Sequence, residues 1–364
     1  MTRARYQQIS LSDTPYYHCI SRCVRRAFLC GIDRHTGQDF SHRRAWVVDR
    51  LNTLSTMFAI DICAYAVMPN HYHLVLKVDV KRAQGWPPEE VIRHWNLLYS
   101  GPGLVAQHQS GQFSGQSEPD HALVHKLRER LVDISWYMRT LNEYIARRAN
   151  AEDDCTGRFW EGRFNSQALL DNQALLTCMA YVDLNPIRAG LATTPETSSF
   201  TSICQRIAAV TVVAPVGVST QHPDSPIYPL TKSAASDSGQ GGAGVACPLL
   251  EFDGRADTCA GIPFGLIDYL ALVDWSGRSI RVDKPGAILS NAPPILSRIG
   301  INGAEYLQFI SPKSYRRKGT RRISVFATAI GTPSRLKQVA VLWCRKYFKG
   351  MSKAQRLFPV TLTR

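Results

Sequence analysis

Long apolar runs are missing from this 364-residue sequence: no stretch reaches the roughly 18 consecutive apolar residues that a helix needs to cross a bilayer. The opening MTRARYQQISLSDTPYY is polar and has no secretory character. These two absences give the expectation of a soluble, cytoplasmic protein with no membrane partner. Close cysteine pairs are missing as well. The ten cysteines are scattered without a CxxC, and the spacing of Cys19, Cys23 and Cys30, the nearest approach to a cluster, suits no common metal site. Reduced structural thiols are the reading that follows. The chain has no HExxH, the two-histidine helix signature of a zinc hydrolase. Acidic residues are nearly absent at one end: from Ile301 to Arg364 the only one is Glu305.

What is present balances these gaps. The formal net charge is +14 and the pI about 9.5. In the acid-poor stretch, KSYRRKGTRR and CRKYFKG concentrate the positive charge, with Arg316, Arg317, Lys318, Arg321 and Arg322 at its centre. Lysine and arginine gain affinity for nucleic acid by releasing phosphate counterions, so a polyanionic partner is expected. With 45% hydrophobic residues the chain has enough apolar material for ordinary globular cores, and its length allows two domains.

Periodicity places the elements. YYHCISRC, Tyr16 to Cys23, reads as a strand, and the spacing of Trp46, Val47, Leu51 and Leu54 predicts a helix over about Gln38 to Phe58. IDICAYAVM is a second strand, and Pro69 and Asn70 supply a tight turn into a third, so the two form a hairpin. Helices follow over Pro88 to Leu98 and about His121 to Asn150, separated by a Gly, Gln and Ser-rich insertion near Ser100 to Asp120. GRFWEGRFNSQAL reads as extended. DNQALLTCMAYVDLNP then reads as a helix capped by Asp171, with Leu175, Met179 and Val182 as its stripe and Pro186 as its stop. The order strand, helix, strand, strand, helix, strand is that of a ferredoxin-like α+β domain with an antiparallel sheet, over residues 1–210. Residues 211–246 are rich in Ser, Gly and Pro and read as a linker, and 247–364 as a separate basic, DNA-binding region of no evident fold.

The hairpin's second arm carries the chemistry. In AVMPNHYHLVLKV, Ala66 to Val78, alternate side chains share a face, so His71 and His73 point the same way with Val75 and Lys77. Tyr72, Leu74, Leu76 and Val78 face the opposite side, toward the expected core. Two histidines so placed are either solvated or the two imidazoles of a metal site. In the last helix Tyr181 and Asn185 are four apart and share a face. Asn185 precedes Pro186, which biases it away from helical geometry and places it just past the helix end. Two neutral imidazoles and one carboxamide oxygen leave open positions on a divalent ion, which a phosphate oxygen could fill. In GRFWEGRF, Arg158, Phe159, Trp160, Arg163 and Phe164 alternate cations with aromatics, a pattern that stacks bases and holds phosphates. The same residues would also suit a strand with buried aromatics and a Glu161 to Arg163 ion pair. Arg22 on the first strand and Arg188 after the last helix are further candidates for DNA contacts.

YAVMPNHYHLVL followed by AYVDLNPIRAGL resembles the HUH single-strand transposases, and most of all the REP-associated tyrosine transposases. YYHCISR, YMRTLNEYIARR and GRFWEGRF resemble further family segments, so the likeness covers about residues 16 to 205. It implies that His71 and His73 are metal ligands, that Asn185 stands where other HUH enzymes carry a helix-borne Gln or His ligand, and that Tyr181 is the nucleophile. Tyr72 is the middle residue of that motif and packs rather than reacts. The resemblance further implies Mg²⁺ or Mn²⁺ as cofactor and single-stranded or hairpin DNA as partner, with a 5′-phosphotyrosine intermediate. The substrate it implies is a repetitive extragenic palindrome, handled at the bacterial nucleoid by a monomer or homodimer. The insertion and the long tail are departures from a minimal family member. Two rival readings are a catalytically silent DNA-binding or regulatory protein and a zinc hydrolase built on the histidine pair.

Overall fold

Strands that are apolar on both faces need cover on both faces, and the helices of this chain supply it. A computed structural model describes residues 8–24, 29–33, 36–99, 118–192, 194–213, 247–253, 261–279, 329–330, 336–338 and 340. Its elements are β1 (Tyr16–Arg22), α1 (Arg43–Ser55), β2 (Ile60–Met68), β3 (His71–Val78), α2 (Val80–Gly85), α3 (Pro88–Leu98), α4 (Glu118–Leu131) and α5 (Ile134–Glu152). Then come β4 (Asn165–Leu169), α6 (Asn172–Asp183), α7 (Asn185–Arg188), α8 (Ser202–Val213), α9 (Leu266–Ser279) and β5 (Ala329–Ile330).

The sheet runs β2-β3-β1-β4-β5. The first four strands are antiparallel to their neighbours, and β5 adds a short parallel pairing to β4. With β1 between β3 and β4, the four antiparallel strands have the order of a split βαβ unit, as the element sequence predicts. Pro69 and Asn70 form the two-residue connection of the β2–β3 hairpin, in which Met68 pairs with His71. An extra residue at Cys63 shifts the register between Ile62 and Ala64.

Tyr72 identifies one helical layer. Its hydroxyl donates to Asn142 Oδ1 of α5 at 2.7 Å, and α1 is tied to α5 by the buried Arg43, which pairs with Glu152 (2.5 Å) and with Asp153 at the helix end. The other face of the sheet lies under α6, so β3 is buried on both sides. His73 is 2% exposed and Lys77 5%, which removes the solvated alternative for His73.

Several boundaries differ from the expected ones. The single helix over 121–150 is two helices, because Asp133 leaves helical geometry and caps α5 by accepting from Ser135 N at 2.5 Å. α1 starts five residues later than its apolar spacing suggests, since residue 39 is bridged to residue 32 ahead of it. Only Asn165–Leu169 of GRFWEGRFNSQAL is strand. Pro186 does not end the helical path: it sits in the first turn of α7, where a missing N–H costs nothing.

Segments 247–253 and 261–279 pack on the α6 side. β2 is an edge strand, and Leu250 N donates to Ile62 O at 2.8 Å, satisfying part of that edge. Tyr269, Leu272 and Val273 of α9 are fully buried. Asp183, at the end of α6 and fully buried, accepts from Ser202 Oγ (2.5 Å), Ile203 N (3.0 Å) and Tyr269 OH (2.5 Å). Burial pushes its carboxyl up to about 6, against these donors. The linker residues 214–246, the insertion residues 100–117 and Arg316, Arg317, Lys318, Arg321 and Arg322 lie outside the described residues.

A hydrogen bond to a buried carboxylate contributes about 1.5–3 kcal/mol. Tyr269→Phe is expected to lower unfolding free energy by that amount in urea titrations. A loss below about 0.5 kcal/mol would mean that α9 is not held to α6 through Asp183.

Candidate active site

The pairing of β3 with β1 and β2 builds the site. Ile20 and Ala66 flank His73, while Arg22 and Met68 flank His71, so both imidazoles and Arg22 emerge from one face at one end of the sheet. The His71 and His73 ring centroids are 4.9 Å apart. α6 crosses that face and sets the Tyr181 ring 5.5 Å from the His73 ring, nearly perpendicular to it. The residues that the sequence pattern singles out on two distant segments therefore meet.

Each histidine has one ring nitrogen occupied. His71 Nδ1 is 2.6 Å from Asn70 Oδ1, and an amide oxygen only accepts, so Nδ1 is the protonated nitrogen. His73 Nδ1 is 3.0 Å from His18 Nε2. His73 Nε2, on the other side of the ring, is buried and has no hydrogen-bond partner. Burial, followed by the positive field of Arg22, brings His71 down to about 4. Burial, reinforced by His71, His18 and Arg22, holds His73 well below the ordinary imidazole range. Both rings are neutral at physiological pH, the state in which imidazole binds a metal.

A buried, unsatisfied imidazole nitrogen costs stability unless something binds it, and a divalent cation is a fitting occupant. Among the described residues no group of three His, Cys, Asp or Glu side chains is placed to hold a metal ion. A cation here would have the two imidazoles and an oxygen donor such as the Asn185 carboxamide, leaving positions for substrate. Asn185 differs from its expected setting: it opens α7 rather than lying past the helix, and its Nδ2 donates to Tyr181 O at 3.2 Å.

Tyr181 is 8% exposed. Burial raises its phenol above the usual range, while the guanidinium of Arg188, a hydrogen bond from Asn185 and the charge of Arg22 act in the opposite sense. The Arg188 guanidinium carbon is 5.2 Å from the Tyr181 ring centroid. Two cations thus flank the phenol from opposite elements, β1 and α7.

Arg158 and Arg163 are exposed, as a DNA contact requires. Trp160 is not: its ring is 8% exposed, lies edge-on to Tyr72 at 5.6 Å, and its indole N–H donates to Asn142 O at 2.9 Å. Trp160 is a core side chain and not a stacking platform, because residues 159–161 extend the sheet edge through Val24 N to Phe159 O and Glu161 N to Arg22 O. Phe159 and Phe164 are buried with it. Tyr72 is fully buried. The residue that sequence reasoning passed over is His18. Its signal was its even spacing from Arg22 in YYHCISR, which puts both on the face of His73. A cavity of about 460 Å³ lined by Arg50, Tyr99, Tyr144, Arg147 and Arg148 lies among α1, α3 and α5, and no residue of the site lines it.

No family model and no curated protein matches the chain. A solved structure of a REP-associated tyrosine transposase bound to a REP hairpin is similar at 13% identity and a TM-score of 0.34, over 61% of this chain and 96% of that one.

Truncating a buried tryptophan costs about 3–5 kcal/mol. Trp160→Ala should destabilise the protein on that scale in chemical denaturation, whereas Arg158→Ala and Arg163→Ala should stay within about 0.5 kcal/mol of wild type. Equal, small effects at all three positions would return Trp160 to the surface.

Proposed function

We propose that this protein is a metal-dependent single-strand DNA endonuclease and strand transferase of the HUH type, with Tyr181 as nucleophile and His71 and His73 as metal ligands. The observation that carries the reading is the orphaned Nε2 of the neutral, buried His73, on the face where Tyr181 stands. The motif resemblance supplies the reaction class, and the strongly basic composition fits a nucleic-acid partner.

A phenol near its ordinary pKa of about 10 is a weak nucleophile at neutral pH. Burial makes Tyr181 weaker still, so charge must be offset from elsewhere. Mg²⁺ or Mn²⁺ on the histidine pair would polarise the scissile phosphate and stabilise its developing charge. Arg22 and Arg188 hold the phosphate beside the phenol and favour loss of its proton to solvent. The Tyr181 oxygen attacks phosphorus and the bond to the 3′ oxygen breaks. That oxygen leaves with a proton as a free 3′-hydroxyl, and the 5′ end remains as a phosphotyrosine. The link keeps the phosphodiester energy, so a 3′-hydroxyl can attack it in reverse and join strands without ATP. Asn185 fixes the turn of α7 through its bond to Tyr181 O and would offer its carboxamide oxygen to that cation. Exposed Arg158 and Arg163 hold flanking phosphates, and Arg316, Arg317, Lys318, Arg321 and Arg322 extend the contact over a REP-like hairpin.

Wild type with an end-labelled single-stranded hairpin and Mg²⁺ should cut at one position. His71→Ala, His73→Ala and Tyr181→Phe should each reduce cleavage to background while DNA affinity changes less than about threefold, since the basic surface is untouched. Cleavage by Tyr181→Phe at the wild-type rate would favour a hydrolytic site. DNA binding without cleavage by wild type in Mg²⁺ and in Mn²⁺ would favour a silent DNA-binding protein.

A further inference from the structure

His18 has no role in the reaction as written, yet among the described residues it is the side chain that hydrogen-bonds His73. The two rings are stacked, with centroids 5.2 Å apart and planes 15° from parallel, and the bond from His73 Nδ1 to His18 Nε2 is 3.0 Å. Both histidines are 2% exposed, so no water competes for that bond. On its far side His18 faces Gln167, its register partner on β4. The two side chains are hydrogen-bonded, and the carboxamide oxygen of Gln167 can accept from an imidazole N–H.

A metal-binding lone pair on His73 Nε2 requires one direction throughout the row. If His18 donates from Nδ1 to Gln167, its Nε2 carries a lone pair and can only accept. His73 must then place its proton on Nδ1 and donate, which leaves Nε2 as a lone pair in the site. The bare, buried nitrogen of His73 is thus the terminus of a chain of two ordered bonds across three strands, β4 to β1 to β3. An imidazole ligand with its remote nitrogen so held keeps one tautomer and one ring orientation, and loss of such an outer partner typically costs 10–100-fold in metal affinity.

We infer that His18, itself oriented by Gln167, is a positioning residue that sets the tautomer and orientation of His73 for a divalent cation. The inference rests on the metal site proposed above. His18 is 6.0 Å in ring centroid from Tyr181, and its two nitrogens are both engaged, so it is not a third ligand.

The full-length, metal-free protein is titrated with Mn²⁺ and the free ion is counted by its aqueous electron-paramagnetic signal, without DNA. His18→Leu should weaken Mn²⁺ affinity about 10–100-fold. His18→Gln, whose side-chain oxygen can accept where Nε2 did, should recover most of it, and Gln167→Leu should show an intermediate loss. Circular dichroism checks folding, and if His18→Leu does not fold, Gln167→Leu and His18→Gln carry the comparison. Long-range proton–nitrogen spectra of the metal-free protein should show both His18 and His73 as Nδ1–H tautomers. Wild-type affinity in both His18→Leu and Gln167→Leu, or an Nε2–H tautomer at His73, overturns the positioning role while leaving the metal site in place. Absence of Mn²⁺ binding by wild type overturns the metal site and the inference with it.

Discussion

His73 sits in β3 directly opposite Ile20 of β1, and the functional geometry depends on that register. It aligns Arg22 with His71 at the mouth of the site and leaves His18 diagonal to His73, within hydrogen-bonding reach. A slip of one residue would turn both histidines to the α5 side and Tyr72 to the α6 side. The register is protected by what each face buries. Tyr72 needs Asn142 for its hydroxyl, and His73 needs His18 for its Nδ1. Neither partner exists on the other face.

The helix that carries Tyr181 is fixed at both ends by different means. Asp171 caps its start by accepting from Ala174 N at 2.8 Å. Asp183 closes its other end, two residues beyond Tyr181, by gathering donors from α8 and α9. The position of the phenol over the sheet is thereby tied to residues beyond 246, which stabilise the helix that carries Tyr181. Arg188 on α7 and Arg22 on β1 then act on a phenol whose place is already set.

The strand order and the pairing of distant segments were legible because they rest on strong local signals. The PN turn fixes the β2–β3 hairpin, period-two alternation puts His71 with His73, and the four-residue spacing puts Tyr181 with Asn185. What was not legible depends on tertiary competition. Asp133 reads as one more polar residue on a helix, but with Ser135 after it, it caps a new one. Trp160 and the arginines around it have the composition of a nucleic-acid contact, yet the continuation of the sheet edge past Arg22 draws the indole into the core while Arg158 and Arg163 stay outside. Pro186 carries a stop signal only where its missing N–H would be needed, and at the head of α7 it is not. His18 went unassigned because its even spacing from Arg22 gives only its face of β1, while its contact with His73 is a diagonal one between strands that depends on their register.

The most direct test of the account is the identity of the residue that joins DNA. The protein is incubated with a single-stranded hairpin and Mg²⁺, resolved on a denaturing gel, and the shifted species is digested and mapped by mass spectrometry. The account predicts one adduct, in which the Tyr181 oxygen carries a 5′-phosphorylated DNA fragment while the released strand ends in a 3′-hydroxyl. An adduct on any other residue, or efficient cleavage with no protein-linked DNA, would contradict it.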